Sequence, residues 1–258
     1  MDLTSVFKIT MKQGLFGKKA QLSAYIIIGL IIVGVIVGYF LLNPTLQKVN
    51  PEIQPLYEQV SNCIHDVGEE ALYTIGRSGG YIEVPQPALE ESVAYYLYDN
   101  TNYMPSKKTI EEQLSLYMDF MVPFCIDPDE FDEYTITEKN VETKTSIEDE
   151  QVIFTVDYPL SIQKGESRYS IRSFESEIPV RLGAIHDAVA ALMDEQMKRT
   201  DAVCATCLYS ISEDYQLHFQ ILDTAEKNNL VFVVRDEQSK ILNEDYQFYF
   251  AIKLEEMG

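Results

Sequence analysis

The stretch LSAYIIIGLIIVGVIVGYFLL, residues 22–42, contains no charged side chain. A helix rises about 1.5 Å per residue, and about 20 apolar residues cross a hydrocarbon core of ~30 Å. The alternative is a buried helix in a large soluble core, but nearly every position here is apolar and no polar face recurs at helical spacing. A cleaved secretory signal usually has an apolar region of only about 7–15 residues that ends at a small residue. We therefore predict a transmembrane helix over residues 21–43.

The residues before this segment predict its orientation. Four lysines precede it, against a single acid, Asp2, and the residues directly after it are uncharged; the lysines are Lys8, Lys12, Lys18 and Lys19. Basic flanks stay on the cytoplasmic side of a membrane. We expect a cytoplasmic basic leader over residues 1–20, a single pass through the lipid bilayer of the plasma membrane, and the remainder of the chain outside.

The part of the chain after the span is strongly acidic. Only one of the 41 acids and four of the 20 Lys and Arg residues precede it, so residues 44–258 carry 40 acids against 16 bases, a net charge of −24. Nucleic acids and anionic lipid surfaces would be repelled by such a domain, so we expect no nucleic-acid partner. Cations and basic surfaces remain compatible with it, although the charge is explained equally by solubility or adaptation to salt.

The residues at the start of the span carry a family resemblance. The string Lys18-Lys19-Ala20-Gln21-Leu22-Ser23 resembles the class III signal of archaeal type IV pilin-like proteins. The resemblance implies a prepilin-type signal peptidase as partner and a cut between Ala20 and Gln21, with the apolar helix kept in the mature chain. It covers about residues 1–42, and an uncleaved signal anchor is the alternative.

One position departs from the family pattern, which usually has Glu where this chain has Tyr25. In the family that Glu is associated with packing subunits into a filament, so the resemblance supports a pilin-like layout more than polymerisation. Gly34 and Gly38 lie four residues apart, the spacing at which small residues let membrane helices approach closely. We expect association with other membrane or pilus subunits through this helix face.

The 216 residues after residue 42 are enough for one domain, and no linker divides them, so we predict a single extracytoplasmic domain over residues 44–258. Apolar residues at helical spacing predict helices over residues 50–76, 109–122 and 184–197. Alternation of β-branched and aromatic residues with polar ones predicts strands, in residues 81–84, 93–98, 134–147, 152–162, 168–180, 216–222, 230–235 and 246–254. The predicted fold class is α+β, with about three helices and an antiparallel sheet.

Motifs for catalysis and metal binding are weak. Gly76-Arg77-Ser78-Gly79-Gly80 matches G-x-S-x-G, but here a predicted helix precedes the Ser and a strand follows it, the reverse of a nucleophile elbow. The three histidines lie in different predicted elements, and the acidic run 127–133 lacks the glycine and spacing of an EF-hand loop. We expect no catalytic residue, no metal and no cofactor; the histidines are His65, His186 and His218.

The four cysteines lie on the predicted outer side, where disulfides persist, and three pairings are open to them. A bond between Cys63 and Cys125 would join the first two predicted helices of the domain. Cys204 and Cys207 would then pair locally. The rival interpretation is a redox C-x-x-C at a helix start, but no proline follows Pro179, whereas thioredoxin-like proteins resemble one another in having one well after the motif.

These observations favour a membrane-anchored, pilin-like surface protein with a binding or assembly role rather than an enzyme. The alternative hypothesis is an extracytoplasmic thiol-disulfide oxidoreductase that uses Cys204 and Cys207. The redox state and thiol reactivity of that pair distinguish the two hypotheses.

Overall fold

The first helix of the domain, α1 (Gln54–Ser78), carries the predicted apolar stripe. The computed structural model describes Ile32 and residues 49–127 and 131–255. The stripe is buried because it recurs every three or four residues and so stays on one face; it comprises Leu56, Val60, Ile64, Val67, Ala71, Leu72 and Ile75. Within the described residues, no helix is both long and apolar enough to cross a membrane.

Helix α1 ends later than the sequence predicts. Gly79, with a φ of 76°, is its left-handed C-cap, so the predicted exit at Gly76 is wrong. Gly76 instead lies inside the helix against the sheet, where an added Cβ would be 2.5 Å from the carbonyl oxygen of Gln247. The missing side chain allows the close approach of helix and strand.

The second helix, α2 (Lys107–Met121), begins before the predicted start at Thr109. Ser106 is its N-cap, and the Ser106 Oγ accepts a hydrogen bond from the Thr109 N–H at 3.1 Å. A short 3₁₀ helix, Val122–Cys125, follows directly. Pro123 lies there, as expected for a residue that cannot continue the α-helical ladder.

The larger sheet has six strands in the order β1-β2-β10-β9-β8, with β3 also paired to β2. Strands β10 and β2 run parallel, so the expectation of a purely antiparallel sheet is wrong at this pair. The bounds are β1 Ala88–Leu89, β2 Val93–Tyr98, β3 Thr101–Asn102, β8 His218–Asp223, β9 Asn229–Ile241 and β10 Glu244–Lys253.

The second sheet has four antiparallel strands, in which β6 pairs with β7 along one edge and with β4 and β5 along the other. A two-residue turn joins β6 and β7, and Gly165 supplies its positive φ of 59°. The bounds are β4 Thr135–Glu138, β5 Glu142–Ile147, β6 Val152–Lys164 and β7 Ser167–Ile178.

The predicted strand at residues 81–84 is wrong, since no strand forms there. The N–H of Ile82 donates to the side-chain Oε1 of Gln113 on α2 at 2.9 Å. A side chain of the helix therefore satisfies this backbone group, where a neighbouring strand would otherwise do so.

Two further helices complete the α+β fold of the described chain, α3 (Leu182–Gln196) and α4 (Ala205–Tyr215), which pack on each other. Helix α1 contacts strands of both sheets, β10 and β7. One main hydrophobic cluster therefore includes residues from both sheets and from all four helices. The described residues from Val49 onward belong to one compact unit.

A buried ion pair connects α3 to the larger sheet. Arg181, the N-cap of α3, donates from Nη1 to Asp236 Oδ1 at 3.1 Å, and the Asp236 side chain is 0% exposed. Asp236 also accepts a hydrogen bond from Ser239 Oγ, and Arg181 Nη2 donates to the carbonyl of Tyr215 at 2.7 Å. The pair thus joins α3, β9 and the end of α4.

Candidate functional site

The side chains of α2 form four faces, because residues four apart lie close together on the same side of an α-helix. One face enters the core, where Ile110, Leu114 and Met118 are each 0% exposed. A second face contacts strand β5, and a third lines a surface groove together with the fourth. The fourth face is exposed to solvent although it carries large apolar side chains.

The face toward β5 covers the open edge of that strand. Glu111 Oε1, Ser115 Oγ and Asp119 Oδ1 accept hydrogen bonds from backbone N–H groups at 2.9, 3.1 and 2.6 Å. The donors are alternate residues of β5, namely Ile147, Thr145 and Thr143 in the same order. Uncovered edges of this kind pair with other chains, so these three contacts protect the second sheet.

Partial burial raises the pKa of the Asp119 carboxyl above its usual value, while hydrogen bonds from Thr143 oppose the shift. Those hydrogen bonds favour the carboxylate, which is the form that accepts the strand N–H. Asp119 therefore has a defined structural task, and its carboxylate is already engaged by the strand edge.

The exposed face of α2 borders a surface depression, here named the α2 groove. Two of its apolar lining side chains are largely exposed, Leu116 at 61% and Phe120 at 71%. Phe124, in the following 3₁₀ helix, is also 71% exposed and contacts Phe120 edge to face at 6.0 Å between ring centroids. The groove is lined by Ile82, Glu83, Gln113, Leu116, Tyr117, Phe120 and Met121.

Carboxylates border this apolar surface. Glu83 lines the α2 groove, and Glu70 of α1 contacts the Tyr117 hydroxyl. Burial and the Glu70 charge raise the pKa of Tyr117 above its usual value. The groove thus combines aromatic and aliphatic side chains with an acidic rim.

A disulfide joins Cys63 on α1 to Cys125 at the end of the 3₁₀ helix, with 5.6 Å between their Cα atoms. It links the two helices that the sequence analysis paired. It also fixes the backbone one residue after Phe124, so the exposed aromatic pair is carried by a cross-linked part of the domain.

A second disulfide joins Cys204 and Cys207. Cys204 is the N-cap of α4, and Cys207 packs against the main core. Buried Gln196 holds the preceding loop through Nε2, which donates to the carbonyls of Arg199 and Ala202 at 2.7 and 2.9 Å. The C-x-x-C therefore lies at a helix start, as the redox alternative requires.

The other sequence candidates do not come together. Ser78 ends α1, and its hydroxyl contacts the carbonyls of Thr74 and Tyr81, so no strand precedes it as in a nucleophile elbow. His65 contacts Ser176 at 3.0 Å, and His186 contacts the carbonyl of Pro105 at the same distance. These histidines lie on different helices and have separate partners.

His218 is on β8, 3.6 Å from Glu237. No group of three or more His, Cys, Asp or Glu side chains among the described residues could hold a metal ion. Asp129 and Glu130 of the acidic run lie outside those residues, as do Ala20 and Gln21 of the predicted signal and the glycine pair Gly34 and Gly38.

The sequence analysis missed the α2 groove. Leu116, Phe120 and Phe124 are four residues apart, and this spacing is visible in the sequence. It went unnoticed because the core-facing residues of the same helix already explain an amphipathic pattern. A second apolar row on a helix that has a complete core face is the signal that identifies such a surface.

Comparison of the chain with protein-family models, with curated proteins and with solved structures finds no significant match.

Proposed function

We propose that this chain is a single-pass, membrane-anchored surface protein, pilin-like in layout, whose acidic α+β domain has a binding or assembly role outside the plasma membrane. The observation that carries the proposal is the uncharged segment at residues 22–42, with four lysines before it and a net charge of −24 after it. The length of the segment suits a membrane span, and the charge asymmetry suits the stated orientation.

Two features of the domain support the proposal, one for the outer location and one for the binding role. Both of its disulfides are of a kind that persists in oxidising compartments, and they involve all four cysteines of the chain. The exposed aromatic pair Phe120 and Phe124 supports a binding role, since apolar patches on a soluble domain mark interaction sites.

A protease added to intact cells is expected to digest the chain after Asn43 and to leave the predicted span in the membrane. The expectation follows from the basic leader, which orients the span. Immunoblotting for an epitope at the carboxyl end, beside a known outer protein, measures it. Full protection of that epitope while the outer protein is cut would reverse the orientation and remove the basis of the proposal.

The mature chain is expected to begin at Gln21, because the pilin-like signal implies a cut after Ala20. Amino-terminal sequencing of protein extracted from native membranes measures this directly. As a control, Ala20→Trp should block the cut and leave the leader attached. A native chain that still contains Lys18 and Lys19 would contradict processing and leave an uncleaved anchor.

The second candidate function is thiol-disulfide exchange by Cys204 and Cys207. Its supporting observation is the position of Cys204 at the N-cap of α4, where the helix dipole favours a thiolate. Against it, Cys207 packs against the core and the sequence lacks the later proline of thioredoxin-like proteins. The binding or assembly role is therefore the preferred proposal.

A further inference from the structure

The exposed side chains of the α2 groove are not needed to attach α2 to the domain. The core face of the helix is already complete, with Ile110, Leu114 and Met118 at 0% exposure. Leu116 and Phe120 lie on a different face and leave most of their surface in water. Covering apolar surface of this kind with a partner is favourable, because it removes the surface from water. The exposed side chains of the groove therefore suit a binding site for a partner, since they do not serve to pack α2 against the core.

The spacing of these side chains fits a helical or extended partner segment. Leu116 and Phe120 are four residues apart on α2, which corresponds to about 6 Å along the helix axis, and the ring of Phe124 in the following 3₁₀ helix lies 6.0 Å from that of Phe120. Partner helices that bind in grooves use apolar anchors at similar intervals along one face. Aromatic side chains such as Phe120 contribute strongly to binding free energy when a partner excludes water from them.

The charges around the groove indicate the charge of the partner. Glu83 lines it, Glu70 contacts Tyr117 at its border, and Glu112 is 63% exposed one turn before Leu116. Lys108 pairs with Glu112 at 3.6 Å, toward the start of the helix. The rim is therefore predominantly acidic, on a domain whose net charge is −24.

Complementary charge favours association, and like charge opposes it. A second copy of this domain would bring another −24 charge and another set of rim carboxylates to the interface. An anionic bilayer surface would be repelled in the same way. A segment with apolar anchors and flanking Lys or Arg satisfies both the groove and its rim.

We propose that the α2 groove is the docking surface for a cationic, amphipathic segment of another protein. This inference rests on the binding role proposed above and specifies its partner class. The apolar side chains of the segment cover Leu116, Phe120 and Phe124, and its basic side chains face Glu70 and Glu83.

The test uses the purified full chain in nanodiscs of zwitterionic lipid. The probe is a 16-residue synthetic amphipathic helix of Leu and Lys, and its counterpart has Glu in place of every Lys. Biolayer interferometry measures binding against a reference surface of empty nanodiscs, so peptide binding to lipid is subtracted. We expect the Lys peptide to bind and the Glu peptide to show no binding.

The variants separate docking from general charge attraction. The double variant Phe120→Ser, Phe124→Ser is expected to weaken binding of the Lys peptide at least tenfold, because it removes the two aromatic anchors. Glu83→Lys should also weaken it. The matched control is Tyr209→Ser, an aromatic residue that is 70% exposed on α4 and does not line the groove, and it should change affinity less than twofold.

Circular dichroism and the unfolding midpoint check that the variants fold, and Leu116→Ser provides a second test of the same surface. Equal affinity of wild type and the double variant would overturn the proposal, as would no binding of the Lys peptide or equal loss in Tyr209→Ser. A double variant that loses self-association but still binds the peptide would assign the surface to a second copy. Binding by the purified chain does not depend on membrane orientation, so failure here is distinct from failure of the protease test.

Discussion

Arg181→Met is expected to lower the free energy of unfolding by about 3–5 kcal/mol, because it leaves the buried Asp236 carboxylate without a countercharge. Asp236 is 0% exposed and Arg181 only 9%. The Ser239 hydroxyl and the backbone N–H of Gln238 remain as hydrogen-bond donors to Asp236, but neither carries a charge. Urea unfolding of the full chain in detergent micelles, monitored by tyrosine fluorescence, measures the loss.

The chain offers a matched control for this prediction. Arg172 donates two hydrogen bonds of 2.7 Å to Asp157, but its side chain is 71% exposed. Arg172→Met should therefore change stability far less, since solvent screens exposed pairs. Replacing both buried partners, as in Arg181→Met with Asp236→Leu, should recover part of the loss. Equal destabilisation by Arg181→Met and Arg172→Met would contradict a special role for the buried pair.

Removing the Cys63–Cys125 disulfide with Ala at both positions is expected to cost about 4 kcal/mol of stability, because the bond closes a long loop in the unfolded chain. The two residues are 62 positions apart. The bond also joins α1 to the 3₁₀ helix that follows α2, so the region around Phe124 should unfold first. Urea unfolding gives the free energy, and hydrogen exchange locates the region that opens.

The second disulfide is the internal control. Cys204 and Cys207 are only three positions apart, so the same chain-entropy argument gives a cost below about 2 kcal/mol for their replacement by Ala. The larger effect should therefore belong to Cys63 and Cys125. Equal costs for the two pairs would show that local packing, rather than loop closure, determines the contribution of each bond.

Local patterns predicted most of the elements of the domain. The apolar stripe of α1 and the run of β-branched, aromatic and aliphatic residues at 93–98 depend on near neighbours, and a helix and a strand form there. The errors occur where distant residues decide. Gly76 is indistinguishable from a helix end in sequence, but the approach of Gln247 places it inside α1.

Pairing between strands that are far apart in the sequence also could not be predicted from local patterns. The parallel contact of β2 with β10 joins Tyr95 to Ala251, which are separated by most of the domain. In the sequence, Arg181 and Asp236 each look like an ordinary surface charge, because the neighbouring residues give no sign that the two form an ion pair. The α2 groove was visible only as spacing, since exposure depends on which face of the helix the core takes.

The three hydrogen bonds between α2 and β5 impose a match between two different repeats. Four residues of helix advance about 6.0 Å, and two residues of strand advance about 6.6 Å. Because the two periods nearly agree, Glu111, Ser115 and Asp119 can each reach an alternate N–H of the strand. The residual difference of about 0.6 Å per step accumulates along the two elements. It therefore limits the match to a few consecutive positions. A slip of one residue would lose all three contacts together, because it would turn the strand N–H groups to the opposite edge or rotate the helix by about 100°.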